Sequence, residues 1–557
     1  MTDSRSGSAS SIAGRADLVL TGGRVMTMDA ARRSAEAVAV RDGRIVAVGR
    51  SADVRPLVGP RTRVVELAGR TLLPGFQDAH VHPVMAGVGL LQCPLHDIDA
   101  DAAGYVAAIA AYAAAHPDLP WVLGDGWYMA KFPGGTPRRE DLDRAVPDRP
   151  AFLPNRDGHS AWVNSRALAL AGVDRDTADP ADGRIERDPD GSPSGTLHEG
   201  AMDLVERLIP PPTQDDIVRG LGLAQAYLHA LGITAWQDAI VRAPDLEAYR
   251  TFAGRGLLTA RVVACHWWER SRGPEQIEEL IEARRVSTIG RLRATTVKIM
   301  QDGVIETYTA ALLASYLGPD GRPTGNRGLS MVEPEALKAA VTRLDAEGFQ
   351  VHVHALGDRA VREALDAIEA ARAANGPSDG RHHLAHLQVV DRADMPRFRE
   401  LGASANIQPL WAARDDQMLD LTLPFLGPEA GALQYPFRSL QRAGARLVGG
   451  SDWTVSTPNV LMEVETAVTR VSPELRDRAP LLPEEAIGLV DGLAAFTIGS
   501  AYVNHLDDVT GSVEVGKLAD LLVLDRDIEA EAPGRIGDAK VLLTLIEGAA
   551  VHDTGVL

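Results

Sequence analysis

Two histidines one residue apart, His80 and His82, close the stretch Leu72–Pro83, LLPGFQDAHVHP. In an extended strand alternate side chains share a face, so both imidazoles point the same way and can grip one metal ion. More ligand-type residues recur near the ends of later apolar runs: Lys298 in TTVKIMQDG, His354 in VHVHALGDRA, His386 in HHLAHLQ and Asp452 in LVGGSDWTVS. Each also has an ordinary reading, Lys298 as an ion-pair partner, His386 as a hydrogen-bonded core histidine, Asp452 as a helix N-cap before Thr454. Burying all of them together is costly unless they are paired or bind metal, so a metal centre explains them better jointly. Imidazole and carboxylate ligands suit zinc, with manganese, iron or cobalt as alternatives. Bound zinc lowers the pKa of water to about 7, and the resulting hydroxide can attack a carbonyl carbon at neutral pH. A carboxylate such as Asp452 can take the proton of that water.

These residues need a frame that brings distant strand ends together. Eight runs read as strands: TLLPGFQDAH, ITAWQDAIV, RVVACHWW, ATTVKIMQDG, FQVHVHALG, HHLAHLQVV, ASANIQP and ARLVGGSD. Helical patterns such as DDIVRGLGLAQAYLHALG, PEALKAAVTRLDAEG and DRAVREALDAIEAARAANG separate most of them. The alternation predicts an α/β fold, a closed parallel (β/α)8 TIM-like barrel over residues 71–500, with the active site at the C-terminal strand ends. An open doubly wound sheet is the competing arrangement, weakened by the lack of a G-x-G-x-x-G turn after an early strand. Residues 16–70 read as strands and tight turns, including a hairpin around Asp42-Gly43 in VAVRDGRIVAVG. Similar strands recur in 501–557, so both chain ends are expected to build one small β-sandwich domain, after a disordered leader at 1–15. A long excursion after the first strand, 124–212, is rich in Pro, Gly, Asp and Arg and is expected to form a lid.

Aromatic residues gather in the excursion and after strand ends: Trp127, Tyr128, Phe132, Trp267, Trp268, Trp411 and Trp453. They either line an apolar pocket or pack loops on the barrel. Trp127, Tyr128, His159 and Trp453 are the candidate substrate contacts. His159, in DGHSAW, is also a candidate donor to a tetrahedral oxyanion, with lid packing as its alternative.

Other motifs fail on inspection. Gly511–Lys517 has the spacing of a phosphate loop, but Leu518 stands where Ser or Thr would bind magnesium. DRDTADPADG has Ala178 at an oxygen-ligand position of a calcium loop. His198-Glu199 lacks the second histidine of an H-E-x-x-H zinc helix. The net charge of -19 over 557 residues argues against nucleic acid and anionic membranes as partners. Two cysteines, Cys93 and Cys265, exclude a disulfide framework and predict a reducing, cytoplasmic setting. No run approaches the roughly 18 apolar residues of a spanning helix, and the polar N-terminus has no signal-peptide core.

The strand-end residues resemble the amidohydrolase superfamily, in which H-x-H on strand one is followed by Lys, His, His and Asp on strands four, five, six and eight. The phrases LLPGFQDAHVHP, GHSAWVNSRAL, VKIMQDGVIETYTAALL, VHVHALGDRAV, GGSDWTVSTPNVLMEVETAVTR and TGSVEVGKLADLLVLD resemble its YtcJ-like and N-substituted formamide deformylase-like branch. That resemblance implies His80, His82, His354, His386 and Asp452 as metal ligands and Lys298 as a carboxylated lysine bridging two ions. The alternative is one ion on His80, His82, a later histidine and Asp452, with Lys298 unmodified. His352, His382 and His383 are neighbours outside the ligand set. The implied activity is metal-dependent hydrolysis of a linear carbon–nitrogen bond in a small amide, an N-substituted formamide or related N-acyl amine. Deamination or cyclic-amide hydrolysis at the same site is the alternative, and a non-catalytic barrel scaffold is the reading from another class. A homodimer is the family-level expectation.

Overall fold

The computed structural model describes residues 14–96, 98 and 101–557, so most of the expected leader, 1–13, lies outside the described residues. Eight parallel strands follow one another around a TIM-like barrel: β1 (Phe76–Val81), β2 (Ile233–Val241), β3 (Arg261–Trp267), β4 (Leu292–Met300), β5 (Gln350–Ala355), β6 (His383–His386), β7 (Ser404–Ile407) and β8 (Arg446–Gly449). All eight expected strands are present, with one difference. The first run divides in two, because Thr71–Pro74 belongs to another sheet and β1 begins after Gly75. A side chain at Gly75 could not pass there, since a Cβ would lie 2.4 Å from the Thr234 methyl group.

The helices form where the periodicity places them. Helix Gln214–Ala230 starts at Thr213, whose hydroxyl accepts from the Asp216 N–H, and buries Ile217, Leu221, Ala224 and Leu228 along one stripe. That stripe packs with Phe76 and Trp236 of the barrel wall. Each fully buried Leu or Ile contributes about 1.5–3 kcal/mol, and truncating Leu221 to Ala would cost about 2–5 kcal/mol. Helices Pro334–Ala346 and Asp358–Asn375 cover β4 to β6 with Leu337, Val341, Leu344, Leu365 and Ile368.

Both chain ends meet in a β-sandwich. One sheet holds Leu18–Thr21, Ala37–Arg41, Arg44–Gly49 and Arg63–Glu66. The other joins Arg24–Met26, Ser34–Ala35 and Thr71–Pro74 to Leu521–Leu524, Val541–Ile546 and Ala549–Asp553. The join is an antiparallel ladder with Leu522 opposite Leu73. Asp42 (φ 50°) and Gly43 (φ 72°) turn the expected hairpin with two left-handed residues.

The excursion is a folded unit. Its mixed sheet runs Gly183–Arg187, Pro193–Glu199, Ser160–Val163, Ala151–Pro154, Val122–Asp125 and Cys93–Pro94. It therefore begins before residue 124, because Cys93 pairs with Gly124 and helix Ala102–Ala115 sends Tyr105 and Ile109 into the same core as Trp127 and Trp162. Among the described residues no helix is long and apolar enough to cross a membrane.

Candidate metal centre

The polar strand ends converge at the C-terminal rim of the barrel. His80 lies in β1, with His82 just after it; Lys298 is in β4, His354 in β5, His386 at the end of β6, and Asp452 three residues beyond β8. The register sets Lys298 beside His352, and Met300 beside His354. The seam from β8 to β1 is closed by the segment that carries Asp452. Ser451 donates through its N–H and hydroxyl to Asp78, the Asp452 N–H donates to the His80 carbonyl at 2.8 Å, and the His82 N–H donates to the Trp453 carbonyl at 3.0 Å. Gly450 permits this approach, because a Cβ there would stand 2.5 Å from the His80 Cβ. Asp452 (φ 53°) and His386 (φ 81°) are held in left-handed backbone that costs free energy for residues with a Cβ, a form of strain that clusters at functional sites.

Ligand atoms of His80, His386 and Asp452 lie within 4.8 Å of one another. Asp452 Oδ1 is 2.8 Å from His82 Nε2 and 3.4 Å from His80 Nε2, and Asp452 Oδ2 is 3.8 Å from His386 Nδ1. The His354 ring sits 4.3 Å from that of His386. Despite this crowding, Asp452 Oδ1, both His386 nitrogens, His354 Nε2 and His82 Nδ1 are buried without a hydrogen-bond partner among the described residues. Orphaned buried polar atoms cost about 1–3 kcal/mol each. A divalent cation that takes one nitrogen from a ring and a carboxylate oxygen removes that cost for the atoms it binds, and the nitrogen-and-carboxylate donor set is one that zinc accepts. The residues present fit a metal ion.

Electrostatics agree with neutral imidazoles around a carboxylate. Burial pushes His80 down to about 4 against the pull of Asp452. Burial, then the neighbouring His386, holds His354 well below the usual imidazole range, and His386 is lowered in the same way by burial and His80. Burial alone would raise Asp452, but His80 and His82 outweigh it and keep the carboxyl well below its ordinary range. Burial brings Lys298 down to about 8 although Asp452 favours its charge.

The excursion after β1 brings His159 to the same place. Its ring centroid is 5.5 Å from that of His354. His159 Nδ1 lies 3.0 Å from both carboxylate oxygens of Glu199, whose Oε1 also accepts from the Thr309 hydroxyl at 2.7 Å. Burial opposes charge on His159, but Glu199, then Asp157 and Asp452, raise it to about 9. The sequence reading missed Glu199, treating it only as a failed zinc-helix motif. Forty residues separate it from His159, and the pair forms because Ser160 stands opposite His198 in the lid sheet.

Other predicted contacts are placed elsewhere. Trp127 is fully buried in the lid's own core, edge-on to Phe132 and Trp162, with its N–H donated to the Leu153 carbonyl, which corrects its assignment to substrate. Trp453 turns outward to the helix layer, with its ring 5.1 Å from Tyr227. Tyr128 donates to Asp415 at 2.7 Å and joins the lid to the segment after β7. Trp411 lies flat against His386, at 5.3 Å and 9°. His382 faces away and contacts Asp345 at 3.0 Å.

The sequence matches the amidohydrolase family profile over residues 63–552. It is 31% identical to protein LONG AFTER FAR-RED 3 of Arabidopsis thaliana, over 96% of this chain and 92% of that one. It is 28% identical to the putative amidohydrolase YtcJ of Bacillus subtilis and 28% identical to the N-substituted formamide deformylase of Arthrobacter pascens, in each case over 96% of this chain and 98% of the relative.

Proposed function

This chain belongs to the amidohydrolase family, and on that premise we propose that it is a metal-dependent hydrolase of linear carbon–nitrogen bonds, acting on an N-substituted formamide or related N-acyl amine. The observation that carries the metal reading is the set of buried, unpartnered donor atoms on His82, His354, His386 and Asp452 around the His80–Asp452 contact. The substrate class is supported by full-length similarity to the formamide deformylase.

His80, His82, His354, His386 and Asp452 would hold the ion, zinc first, with manganese, iron or cobalt as alternatives. Lys298, buried beside them, would add to the ligand set as a carbamate, which replaces a cation by one negative charge shared over two oxygen donors. Bound there, a divalent metal polarises a carbonyl and lowers the pKa of water. Asp452 accepts the proton of the attacking water at a carboxylate oxygen and delivers it to the amine nitrogen as the carbon–nitrogen bond breaks. His159 commits Nδ1 to Glu199 and offers Nε2 to the carbonyl oxygen as negative charge develops on it. The lid keeps bulk water away from both groups, which strengthens these contacts. A panel of N-formyl, N-acetyl and cyclic amides, assayed for release of amine and acid, tests the reading. Formate and free amine are the expected products, and turnover of cyclic amides alone would overturn it.

A further inference from the structure

Beneath the candidate ligands lies a chain of buried polar side chains that the proposed reaction does not use. It starts at Gln350, whose amide nitrogen donates to the main-chain carbonyls of Arg381 and Val503 at 2.9 and 2.8 Å. Carbonyls only accept, so the orientation of this amide is fixed. Gln350 Oε1 then accepts from the Thr296 hydroxyl and, at 3.0 Å, from the Gln237 amide nitrogen, which also reaches Asn504 Oδ1 at 3.3 Å. Gln237 Oε1 is thereby turned to two histidines, His352 Nδ1 at 2.8 Å and His383 Nε2 at 2.9 Å. An amide oxygen has no proton to give, so both ring nitrogens carry one.

His383 is completed on its other side by the Asn406 amide nitrogen, 3.2 Å from His383 Nδ1 and anchored by the Ala79 carbonyl at 2.9 Å. It is therefore neutral. His352 Nε2 faces His80 Nδ1 at 2.8 Å. Fully buried against the neutral His383 ring, with centroids 4.0 Å apart, and with no carboxylate among its hydrogen-bond partners in the described residues, His352 is neutral as well. The Cys265 sulfur lies 3.8 Å from His352 Nδ1 as a weak second acceptor. With its proton on Nδ1, His352 has a lone pair on Nε2, so His80 Nδ1 must be the donor.

We infer that Gln237, acting through His352, holds His80 as its Nδ1–H tautomer, so that the bare Nε2 faces Asp452 at 3.4 Å and is ready to bind a metal ion. Gln237 and His352 are positioning residues. Outer partners of this kind fix the ring and tautomer of a metal-binding histidine, and removing one typically lowers metal affinity 10–100-fold. The inference rests on the metal-centre reading but on no choice of substrate.

The test measures zinc affinity of metal-free protein by competition with a chromophoric chelator, alongside circular dichroism. His352→Leu and Gln237→Leu should each lower affinity 10–100-fold. His352→Gln supplies an amide oxygen to His80 and an N–H to Gln237, so it should stay within about threefold of the parent. Folded His352→Leu with parental affinity would overturn the inference, as would His352→Gln falling as far as His352→Leu. The ring-nitrogen shifts of His80 in 15N-histidine-labelled parent protein decide the matter if the leucine variants do not fold. An Nδ1–H pattern is expected, and an Nε2–H pattern would overturn it. Failure of amide turnover in the parent would defeat the substrate proposal and leave these readouts intact.

Discussion

Asp452 Oδ1 stands 2.8 Å from His82 Nε2 and 3.4 Å from His80 Nε2, so one buried carboxylate faces both histidines at the end of the first barrel strand. Asp452 is consequently placed to handle the proton of an attacking water. Asp452→Asn should keep the fold, by circular dichroism, and lower kcat by about 10²–10⁴-fold, the range for loss of a general base. Turnover near the parental rate would remove Asp452 from the proton transfer.

The His159–Glu199 pair gives a second expectation. His159→Ala and Glu199→Gln should each lower kcat/KM by about 10²–10³-fold, as removal of an oxyanion donor does, while metal content by atomic emission stays unchanged. A matched loss of metal would instead put the pair among the groups that hold it.

Removal of metal should be felt by the whole fold. With free zinc at 100 times its Kd, binding adds about 2.7 kcal/mol to stability, so chelated protein should melt lower and recover on adding zinc. Identical melting curves with and without chelator would contradict a metal among the orphaned donors.

Helix Pro83–Gly89, which begins directly after His82, is seated backbone against backbone on helix Gln214–Ala230: a Cβ on Gly87 would lie 2.2 Å from the Gly220 carbonyl oxygen. Gly87→Ala should cost about 1–3 kcal/mol in urea unfolding through overpacking. Because the displaced helix drags His82 with it, zinc affinity should fall in the same variant.

Asp345 supplies a pH test away from the metal. The His382 hydrogen bond, with those of Asn375 and Ser378, holds its carboxyl below the usual range in spite of burial. A carboxyl whose pKa is depressed in the folded state stabilises above the unfolded value of about 3.9, and that contribution is lost as pH falls below it. Asp345→Asn should therefore be about 2 kcal/mol less stable than the parent at pH 7, with the gap shrinking toward pH 3. A gap independent of pH would show that packing, and not the charge, is what Asp345 supplies.

The barrel was legible because its strands and helices announce themselves by different periods, and residues such as His354 and Asp452 fall where those runs stop. The division at Gly75 was not, since TLLPGFQDAH reads as one run and only its partners divide it, Thr71–Pro74 pairing with Leu521–Leu524 in the sandwich and Phe76–Val81 with Ile233–Val241 in the barrel. Nor was the role of Trp127. A tryptophan in an excursion reads the same whether it faces a pocket or, as here, its own subdomain's core. Gln237 and Glu199 carry no local signature, because their partners are defined by barrel closure and by cross-strand register.

The ladder between Thr71–Pro74 and Leu521–Leu524 has a consequence for synthesis. The strand bearing His80 is separated from that ladder by Gly75 alone. The edge of Thr71–Pro74 facing Leu521–Leu524 waits on the ribosome without its partner until the chain has grown through residue 524. Such exposed edges invite pairing with other chains, and Leu521–Leu524 closes this one by pairing along it.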